Sequence, residues 1–410
     1  MFKKTKVLWV LMVLILAFSL NVGAETIELD VWVVRDNYQI DLTEWNEANP
    51  NIEINFEVVP WEQALNRLIM SASSNRAPDV AVLDRPWVGT LGGLGHLTPL
   101  DSYIDDYYTE DELNDYIEAS WEFAQYDGTT YAMPFTVFGR ALFYRADWFE
   151  EAGLDAPETW EDVVEAGKVF TDPAQDKWGL SVRGIRDDGT TQGWLPIFAA
   201  MGGEFDGQAP QINSEAGIKA LELYRDLVYD AEIMSPETVI FGSGEARGLF
   251  LSGNAAMAIM GSHIAPAVVN NGIEYGDFKM THIPVPEAGM EKRNVATGFQ
   301  WAVHEQSEHK DAAFEFIKYA TDTAGQFEFN VDYMEAVRLS VYDIPEYREA
   351  KPWVDFILDD MEGFSAIPAA PQYSQMSQAI QNGLQEMLNN PDADAEAVAA
   401  EIQAVIDPLF

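Results

Sequence analysis

Residues 54–84, INFEVVPWEQALNRLIMSASSNRAPDVAVLD, decide the fold. Apolar and polar residues alternate over 54–60, which predicts a β-strand, and the apolar residues of 61–73 fall on one face of a helix. Residues 79–84 are a short apolar run that predicts a buried strand. Upstream, residues 27–48 predict one more strand followed by a short helix. This alternation predicts an α/β lobe with a largely parallel sheet.

A carboxylate, a guanidinium and an indole stand where the last of these strands ends. Asp84 is its final residue, and Arg85 and Trp87 follow closely. In α/β sheets, ligands bind outside the carboxyl ends of the strands. We therefore expect Asp84, Arg85 and Trp87 to lie at a binding site.

The chain has 410 residues, which is enough for two lobes. Residues 129–149 predict two extended runs joined near Pro134, and extended chain of this kind can cross from one lobe into another. A proline-rich segment that begins at residue 280 is expected to return. Residues 183–193 are expected to form a loop, followed by a helix that begins at Trp194.

The N-terminus has the order of a secretory signal peptide, with lysines first, then an apolar run from Val7 to Phe18, then small residues up to Ala24. That run is shorter than the about 20 apolar residues that span a bilayer. We expect cleavage after Ala24. Because the chain has no cysteine for disulfide bonds or a lipid anchor, it is expected to be periplasmic or secreted.

The formal net charge is −44. A field of this sign repels nucleic acid and anionic lipid, and it also repels itself unless salt screens it. We hypothesise that the protein works in high salt, as in a halophile. Its melting temperature is then expected to rise between low and molar NaCl, and an unchanged melting temperature would contradict the hypothesis.

Known motifs give no support for a metal centre, a nucleotide site or a serine hydrolase. The five histidines are dispersed, and the sequence lacks GxSxG. The glycine-rich stretches 92–95 and 242–248 match no phosphate-binding pattern and are expected to form loop turns. We expect no metal and no cofactor. A glycosidase stays open, because it needs only two carboxylates and the chain has 68 acidic residues.

Aromatic residues beside polar loops are the remaining signal. Trp87 follows Asp84, Trp194 follows DDGTTQG, and Phe138 stands beside Arg140 on the expected crossover. An aromatic plane suits the C–H face of a sugar ring, while carboxylate and guanidinium groups suit its hydroxyls. Asp84 as acceptor and Arg140 as donor are such a pair.

Six stretches, in this order and spacing, resemble the extracellular solute-binding proteins of ABC sugar importers, a family that includes maltose- and trehalose-type binding proteins. They are EWNEANPNIEINFEVVPWEQALNRL, APDVAVLDRPWVGTLGGLGHLTPLDSYI, YDGTTYAMPFTVFGRALFYRADWFEEAGLDAPETWEDVVEAGKVF, GLFLSGNAAMAIMGSHI, ATGFQWAVHEQSEHKDAAFEFIKYATD and VRLSVY. The resemblance covers nearly the whole chain after the signal peptide.

The resemblance implies a type II periplasmic-binding-protein fold, in which two discontinuous α/β lobes are joined by crossover strands and close by hinge motion. We expect the first lobe to comprise 25–136 and 285–335, and the second 137–284 and 336–410. The resemblance further implies a monomer that carries a sugar to an inner-membrane permease, without catalysis. The alternatives are a secreted glycosidase, a binding protein for a non-sugar polar solute, and a structural surface protein without a small ligand.

The resemblance also implies positions in the ligand site. Where many family members have Gly-Pro-Trp, this chain has Gly261-Ser262-His263, so His263 either bonds a hydroxyl or is an ordinary loop histidine. The residues expected at the ligand are Asp84, Arg85, Trp87, Phe138, Arg140, Trp194, His263, Phe299, Gln300, Arg338 and Tyr373.

Overall fold

The computed structural model describes residues 26–34, 42–207, 209–332 and 334–410. The expected signal peptide lies outside these residues. Within them, no helix is both long and apolar enough to cross a membrane. Nor do they bring together three or more His, Asp or Glu side chains in a group that could hold a metal ion.

Strands and helices alternate along the described chain. The strands are β1 Ile27–Val33, β2 Ile52–Val58, β3 Val80–Asp84, β4 Gln125–Tyr126, β5 Thr129–Thr130, β6 Met133–Pro134, β7 Thr136–Val137, β8 Arg140–Arg145, β9 Trp178–Ser181, β10 Phe205–Asp206, β11 Ala209–Pro210, β12 Ala255–Gly261, β13 Phe278–Thr281, β14 Asn294–Ala296, β15 Phe299–Val303, β16 Glu335–Ala336 and β17 Phe364–Ala366. The α-helices are α1 Thr43–Ala48, α2 Trp61–Ser73, α3 Arg85–Gly93, α4 Asp101–Tyr107, α5 Glu110–Asn114, α6 Glu118–Phe123, α7 Ala146–Ala152, α8 Trp160–Phe170, α9 Asp188–Ala200, α10 Glu215–Tyr229, α11 Ser243–Leu251, α12 Ala265–Asn270, α13 Lys310–Thr321, α14 Thr323–Asn330, α15 Pro345–Ala350, α16 Val354–Met361, α17 Tyr373–Asn389 and α18 Ala395–Ile406.

The first sheet has the strand order β2-β1-β3-β15-β6. Strand β1 pairs in parallel with β2 and β3, as the opening sequence predicts. Strand β15 returns from the other side of the molecule and runs antiparallel to both β3 and β6. The sheet is therefore mixed, not largely parallel, because β15 enters it from the second lobe and runs against its neighbours.

The second sheet has the order β13-β8-β12-β9. Strand β12 runs antiparallel to β8 and parallel to β9, and β13 is antiparallel to β8. The chain crosses from the first sheet to the second between Pro134 and Arg140, near the predicted proline. It returns between Thr281 and Phe299, in the predicted proline-rich region. The two-lobed architecture with crossover strands is therefore confirmed.

Each sheet packs against its own buried aromatic residues. Trp301 on β15 is fully buried beside Phe135, with the ring centroids 5.1 Å apart. On the other side, Trp194 in α9 stacks on Phe198 at 5.6 Å. Full burial of a large apolar side chain contributes about 1.5–3 kcal/mol, so these rings help to hold each lobe together.

Two segments that the sequence predicts as loops are largely helical. Helix α9 begins at Asp188, not at Trp194, because the Asp187 side chain caps it by accepting a hydrogen bond from the Thr190 N–H (2.9 Å). Helix α11 takes up most of residues 242–248, and Glu245 accepts from the Gly242 N–H (3.0 Å). Helix α3 likewise continues through Gly93. A glycine inside a helix lowers the stability of the helix by about 1 kcal/mol. A capping hydrogen bond of similar strength offsets this loss.

The predicted division of the chain between the lobes stays a prediction, and one residue needs revision. Arg338, assigned to the second lobe, donates hydrogen bonds to the Thr321 carbonyl (2.6 Å) and to Asp115 (3.2 Å). Both partners belong to the predicted first lobe. Thr321 ends helix α13, whose last carbonyls need donors, and this requirement explains why a buried guanidinium sits there.

His304 makes the stability of the first lobe depend on pH. Its ring lies 6.0 Å from that of His96, and its Nδ1 accepts from the Gln306 N–H (3.1 Å). Burial, and then the charge of His96, lowers the pKa of His304 to about 4. The unfolded chain takes up this proton near its ordinary pKa of about 6.5. The neutral ring therefore contributes stability above that pH, and the contribution is lost as the pH falls towards about 4.

We expect the stability advantage of the native protein over His304→Asn to shrink between about pH 7 and about pH 4.5. Urea unfolding of both proteins at each pH measures it. Subtracting the variant removes the titration of the many carboxylates that both chains share. A difference in unfolding free energy that is the same at both pH values would contradict this assignment.

Candidate functional site

A cavity of about 700 Å³ lies between the two sheets. Ligand sites for small molecules typically measure about 300–1,000 Å³. The first lobe contributes Trp61 and Asp84, at the carboxyl ends of β2 and β3. The other lining residues used below are Glu62, Phe138, Arg140, Arg183, Asp187, Gln192, Glu245, Arg247, Gly261, His263 and Phe299.

Asp84 is the buried anchor of the cavity, with only 2% of its surface exposed. One carboxylate oxygen accepts from the Arg85 N–H (2.8 Å) and the Thr297 hydroxyl (2.9 Å). The other accepts from Trp61 Nε1 (2.9 Å) and Gln192 Nε2 (3.2 Å). Burial, and then the charge of Asp188, raises the pKa of Asp84, and these hydrogen bonds oppose the rise. Because four protein groups already donate to it, Asp84 holds the site in shape.

Trp61 presents the aromatic surface of the cavity. Asp84 fixes the orientation of the indole, and the Trp87 ring packs behind it at 5.9 Å between centroids. Trp61 is half-buried, so part of the ring stays accessible. The arrangement offers a rigid apolar plane beside polar groups, which suits a molecule with both apolar and hydroxyl-bearing faces.

Gln192 links the two lobes. Its Nε2 donates to Asp84 of the first sheet and to Asp188 (2.9 Å), the first residue of its own helix α9. Asp188 in turn accepts from the Ser377 hydroxyl (2.6 Å) on α17. Burial is the main cause of the raised pKa of Asp188. This hydrogen-bonded chain joins the floor of the cavity to the second lobe.

Three arginines line the cavity. Arg183 is paired with Asp187 at 2.6 Å, and a Cβ at Gly189 would lie 2.0 Å from its guanidinium, so a larger residue there would displace Arg183. Arg140 is 9% exposed and lies with its Cζ 5.8 Å from the Phe138 ring centroid. Burial, and then the charge of Arg183, lowers the pKa of Arg140 to about 10, so it stays cationic at neutral pH.

His263 lies in the cavity wall, where its ring centroid is 4.2 Å from that of Phe138. It follows Gly261, which pairs with Arg140 across strands β12 and β8. A Cβ at Gly261 would lie 2.4 Å from the His263 ring and 2.8 Å from Arg140 Nη1. The missing side chain at Gly261 therefore makes room for two polar groups of the cavity.

Gly261→Ala is expected to weaken ligand binding by about tenfold, because the added methyl group displaces the His263 ring and Arg140. Overpacking of this kind typically costs about 1–3 kcal/mol. Titration calorimetry of the variant measures this loss. Gly276→Ala is the matched control, since a Cβ there meets nothing within 4 Å, and it should bind as the native protein does. Equal affinities for both variants would show that His263 and Arg140 are not confined by Gly261.

Of the residues expected at the ligand, the structure brings Asp84, Phe138, Arg140, His263 and Phe299 to the cavity. Trp87 lies behind Trp61, and Tyr373 lies buried near Asp188, whose charge, after burial, raises the Tyr373 pKa. Arg85 lines a separate cleft beside Glu122 and Gln125. Arg338 lies in the network around Asp115.

Trp194 and Gln300 point away from the cavity, for reasons of periodicity. Trp194 is two residues beyond Gln192 in a helix, so it faces nearly the opposite side, and its Nε1 donates to the Ala220 carbonyl (3.1 Å) in the core. Gln300 follows Phe299 in a strand, where successive side chains lie on opposite faces. Both residues are fully buried, which corrects their expected role as contacts.

Sequence reasoning missed Trp61, Arg183, Gln192 and Arg247. Trp61 follows β2 at the same sheet edge as Asp84, so the rule that led to Asp84 could also have found it. Gln192 lies within residues 183–193, which the sequence predicts as a loop, so no helical face indicated the direction of its side chain. No local signal in the sequence distinguishes Arg183 or Arg247 from other arginines.

Comparisons with known proteins point in one direction. The family model for bacterial extracellular solute-binding proteins matches residues 34–327. The chain is 24% identical to the maltotriose-binding protein of Pyrococcus abyssi over 380 residues, covering 87% of this chain and 76% of that protein. It is 25% identical to the arabinooligosaccharide-binding protein of Halalkalibacterium halodurans over 338 residues, covering 78% and 73%.

The fold also matches a solved structure. An ABC transporter solute-binding protein from Thermotoga lettingae, bound with alpha-D-tagatose, superposes with a TM-score of 0.83 at 22% identity. The match covers 94% of this chain and 100% of that one. At this identity the likeness shows the fold, a two-lobed type II periplasmic-binding-protein architecture.

Proposed function

Because the chain belongs to the bacterial extracellular solute-binding protein family, we propose that it binds a sugar or polyol in the cavity between its lobes. One observation carries this proposal: Trp61 and Asp84 combine a fixed indole with a hydrogen-bonded carboxylate at the floor of that cavity (2.9 Å). The relatives named for maltotriose and arabino-oligosaccharide, and the neighbour solved with tagatose, support a saccharide as the ligand.

The proposed recognition divides between stacking and hydrogen bonding. The Trp61 ring meets the C–H face of the sugar, and Phe138 and Phe299 close the apolar side. The hydroxyl groups of the sugar accept hydrogen bonds from Arg140 and Arg183, which present several N–H donors in a fixed geometry. Of the two alternatives for His263, we propose the bond to a hydroxyl, since its ring lines the cavity.

Binding is proposed to close the two lobes. A ligand shifts an open–closed equilibrium only by its differential affinity for the closed form. The Gln192–Asp84 hydrogen bond spans the two lobes at 3.2 Å, so it belongs to the closed form and is expected to break on opening. The closed, loaded monomer then docks on the permease of an ABC transporter, outside the cytoplasmic membrane.

We propose that the chain catalyses no reaction on its ligand. A glycosidase needs a carboxylic acid that can give its proton to the substrate and a second carboxylate across from it. Here Asp84 is occupied by four protein donors, and Asp187 is paired with Arg183. Oligosaccharides incubated with the protein should show no new reducing ends, and their appearance would favour a glycosidase.

A thermal-shift screen in high salt against mono-, di- and oligosaccharides and polyols tests the proposal. A ligand that binds only the native state adds RT ln(1 + [L]/Kd), about 2.7 kcal/mol at a hundredfold excess over Kd. We expect at least one sugar or polyol to raise the melting temperature and to remain intact. Stabilisation by another class of solute alone would contradict the proposal.

A further inference from the structure

Arg140 is a buried cation that forms no ion pair with any described residue. It starts strand β8 on the crossover, is 9% exposed, and lines the cavity. Among the described residues its guanidinium forms no ion pair and no hydrogen bond, and the Phe138 ring is its near neighbour at 5.8 Å. Buried charges in proteins are normally paired, because an unpaired one has lost its hydration without gaining a partner. The charges of Asp84 and Asp188 favour the cationic form of Arg140 from beyond ion-pair distance, but no group among the described residues bonds its guanidinium directly.

The acidic residues of the cavity are engaged elsewhere or lie at its rim. Asp84 accepts four hydrogen bonds from other groups, and Asp187 is paired with Arg183 at 2.6 Å. Glu245 caps helix α11 through the Gly242 N–H (3.0 Å). Glu62 is exposed in the first turn of α2. None of the four lies within ion-pair distance of Arg140.

A second guanidinium in the same cavity is also unpaired. Arg247, on helix α11, is half-buried and has no ion pair within the described part of the chain. The chain carries 68 acidic residues and only 24 basic ones, yet neither of these two cavity arginines forms an ion pair with a described residue. Both guanidinium groups line the cavity, so both are available to bond a negative group of the ligand.

We propose that the ligand is an acidic saccharide, whose anionic oxygen group binds Arg140 deep in the cavity while Arg247 contributes at its mouth. The proposal rests on the proposed sugar-binding function and narrows it. A guanidinium bonds both oxygens of a carboxylate through two parallel N–H donors. The carboxylate of a uronic acid fits this geometry, and a phosphate or sulfate ester shares the chemistry.

The test compares matched ligands by titration calorimetry on the native protein. The probes are galacturonate and its dimer, their neutral methyl esters, galactose, and galactose 6-phosphate. We expect the free acid to bind at least tenfold tighter than its ester, since hydrogen bonds to a charged group are about twice as strong as neutral ones. Tighter binding of the phosphate would support the anionic class and identify its source as an ester.

Two variants locate the effect. Arg140→Gln should weaken binding of the free acid by about 30-fold or more and binding of the ester by a clearly smaller factor, because the ester loses a neutral hydrogen bond and the acid loses a charged one. Arg247→Gln should give a smaller difference of the same kind. Without ligand, Arg140→Gln should melt at the same temperature as the native protein or higher, because an unpaired buried charge has been removed. A lower melting temperature would indicate a structural role for Arg140 and overturn the proposal.

The outcomes separate this proposal from the sugar-binding function. If galactose or a neutral sugar from the screen binds as tightly as the acids, the ligand class is wrong and the sugar-binding function stands. If no sugar, polyol or acid binds, the sugar-binding function itself fails. Should Arg140→Gln not fold, the acid–ester comparison on the native protein and Arg247→Gln still decide.

Discussion

Asp84→Ala is expected to lower the free energy of unfolding by about 2–4 kcal/mol and to weaken ligand binding more than tenfold. The variant leaves the Thr297 hydroxyl, the Arg85 N–H, Trp61 Nε1 and Gln192 Nε2 without their acceptor. Each buried polar group left unsatisfied costs about 1–3 kcal/mol, partly offset because the buried carboxylate is also removed. Affinity falls because the Trp61 ring and the link to Gln192 are no longer held.

This reason differs from the one that the sequence suggests, where Asp84 accepts from sugar hydroxyls. The two explanations can be separated, because an acceptor used only by the ligand would affect binding and leave the ligand-free protein as stable as before. Urea unfolding without ligand and calorimetry with ligand together measure both effects. Unchanged stability with lost affinity would restore the original explanation.

Asp322→Ala is the matched control. Asp322 also caps a helix, accepting from the Gly325 N–H (2.7 Å), and it lies outside the cavity. Loss of such a cap costs about 1 kcal/mol. We expect Asp322→Ala to lose about that much stability and to bind ligand as the native protein does.

The sequence predicted the parts of this fold that depend on local periodicity. The β1–α1–β2–α2–β3 order, the crossover near Pro134 and the position of Asp84 all follow from short patterns of apolar and polar residues. The antiparallel return of β15 into the first sheet depends on pairing between residues more than 200 positions apart, such as Asp84 and Phe299. No local pattern encodes such pairing.

The site was predicted less completely because its second half depends on where a helix begins. Once the Asp187 cap fixes the start of α9, helical geometry directs Gln192 to the cavity and Trp194 to the core. A loop predicted over the same residues carries no such constraint, so the sequence alone does not distinguish the side of Gln192 from the side of Trp194. One capping aspartate therefore determines which of the two residues faces the cavity.

Trp61→Ala is expected to weaken binding by about 30-fold or more, since the loss of a central aromatic anchor typically costs about 2 kcal/mol or more. The change removes the apolar plane and one donor to Asp84 (2.9 Å) together. Trp61→Phe separates the two contributions, because it keeps a ring and loses the N–H. If stacking dominates, Trp61→Phe should recover most of the lost affinity in calorimetry.

Trp148→Ala is the control for Trp61→Ala. Trp148 is also half-buried, but it packs on Arg145, with 4.4 Å from Arg145 Cζ to its ring centroid, and does not line the cavity. Its loss should lower stability and leave affinity unchanged. If the two alanine variants lost affinity equally, the effect would come from general destabilisation, and the assignment of Trp61 as the stacking surface would fail. A large loss confined to Trp61→Ala would instead place the ligand against the edge of the first sheet, where β2 and β3 end.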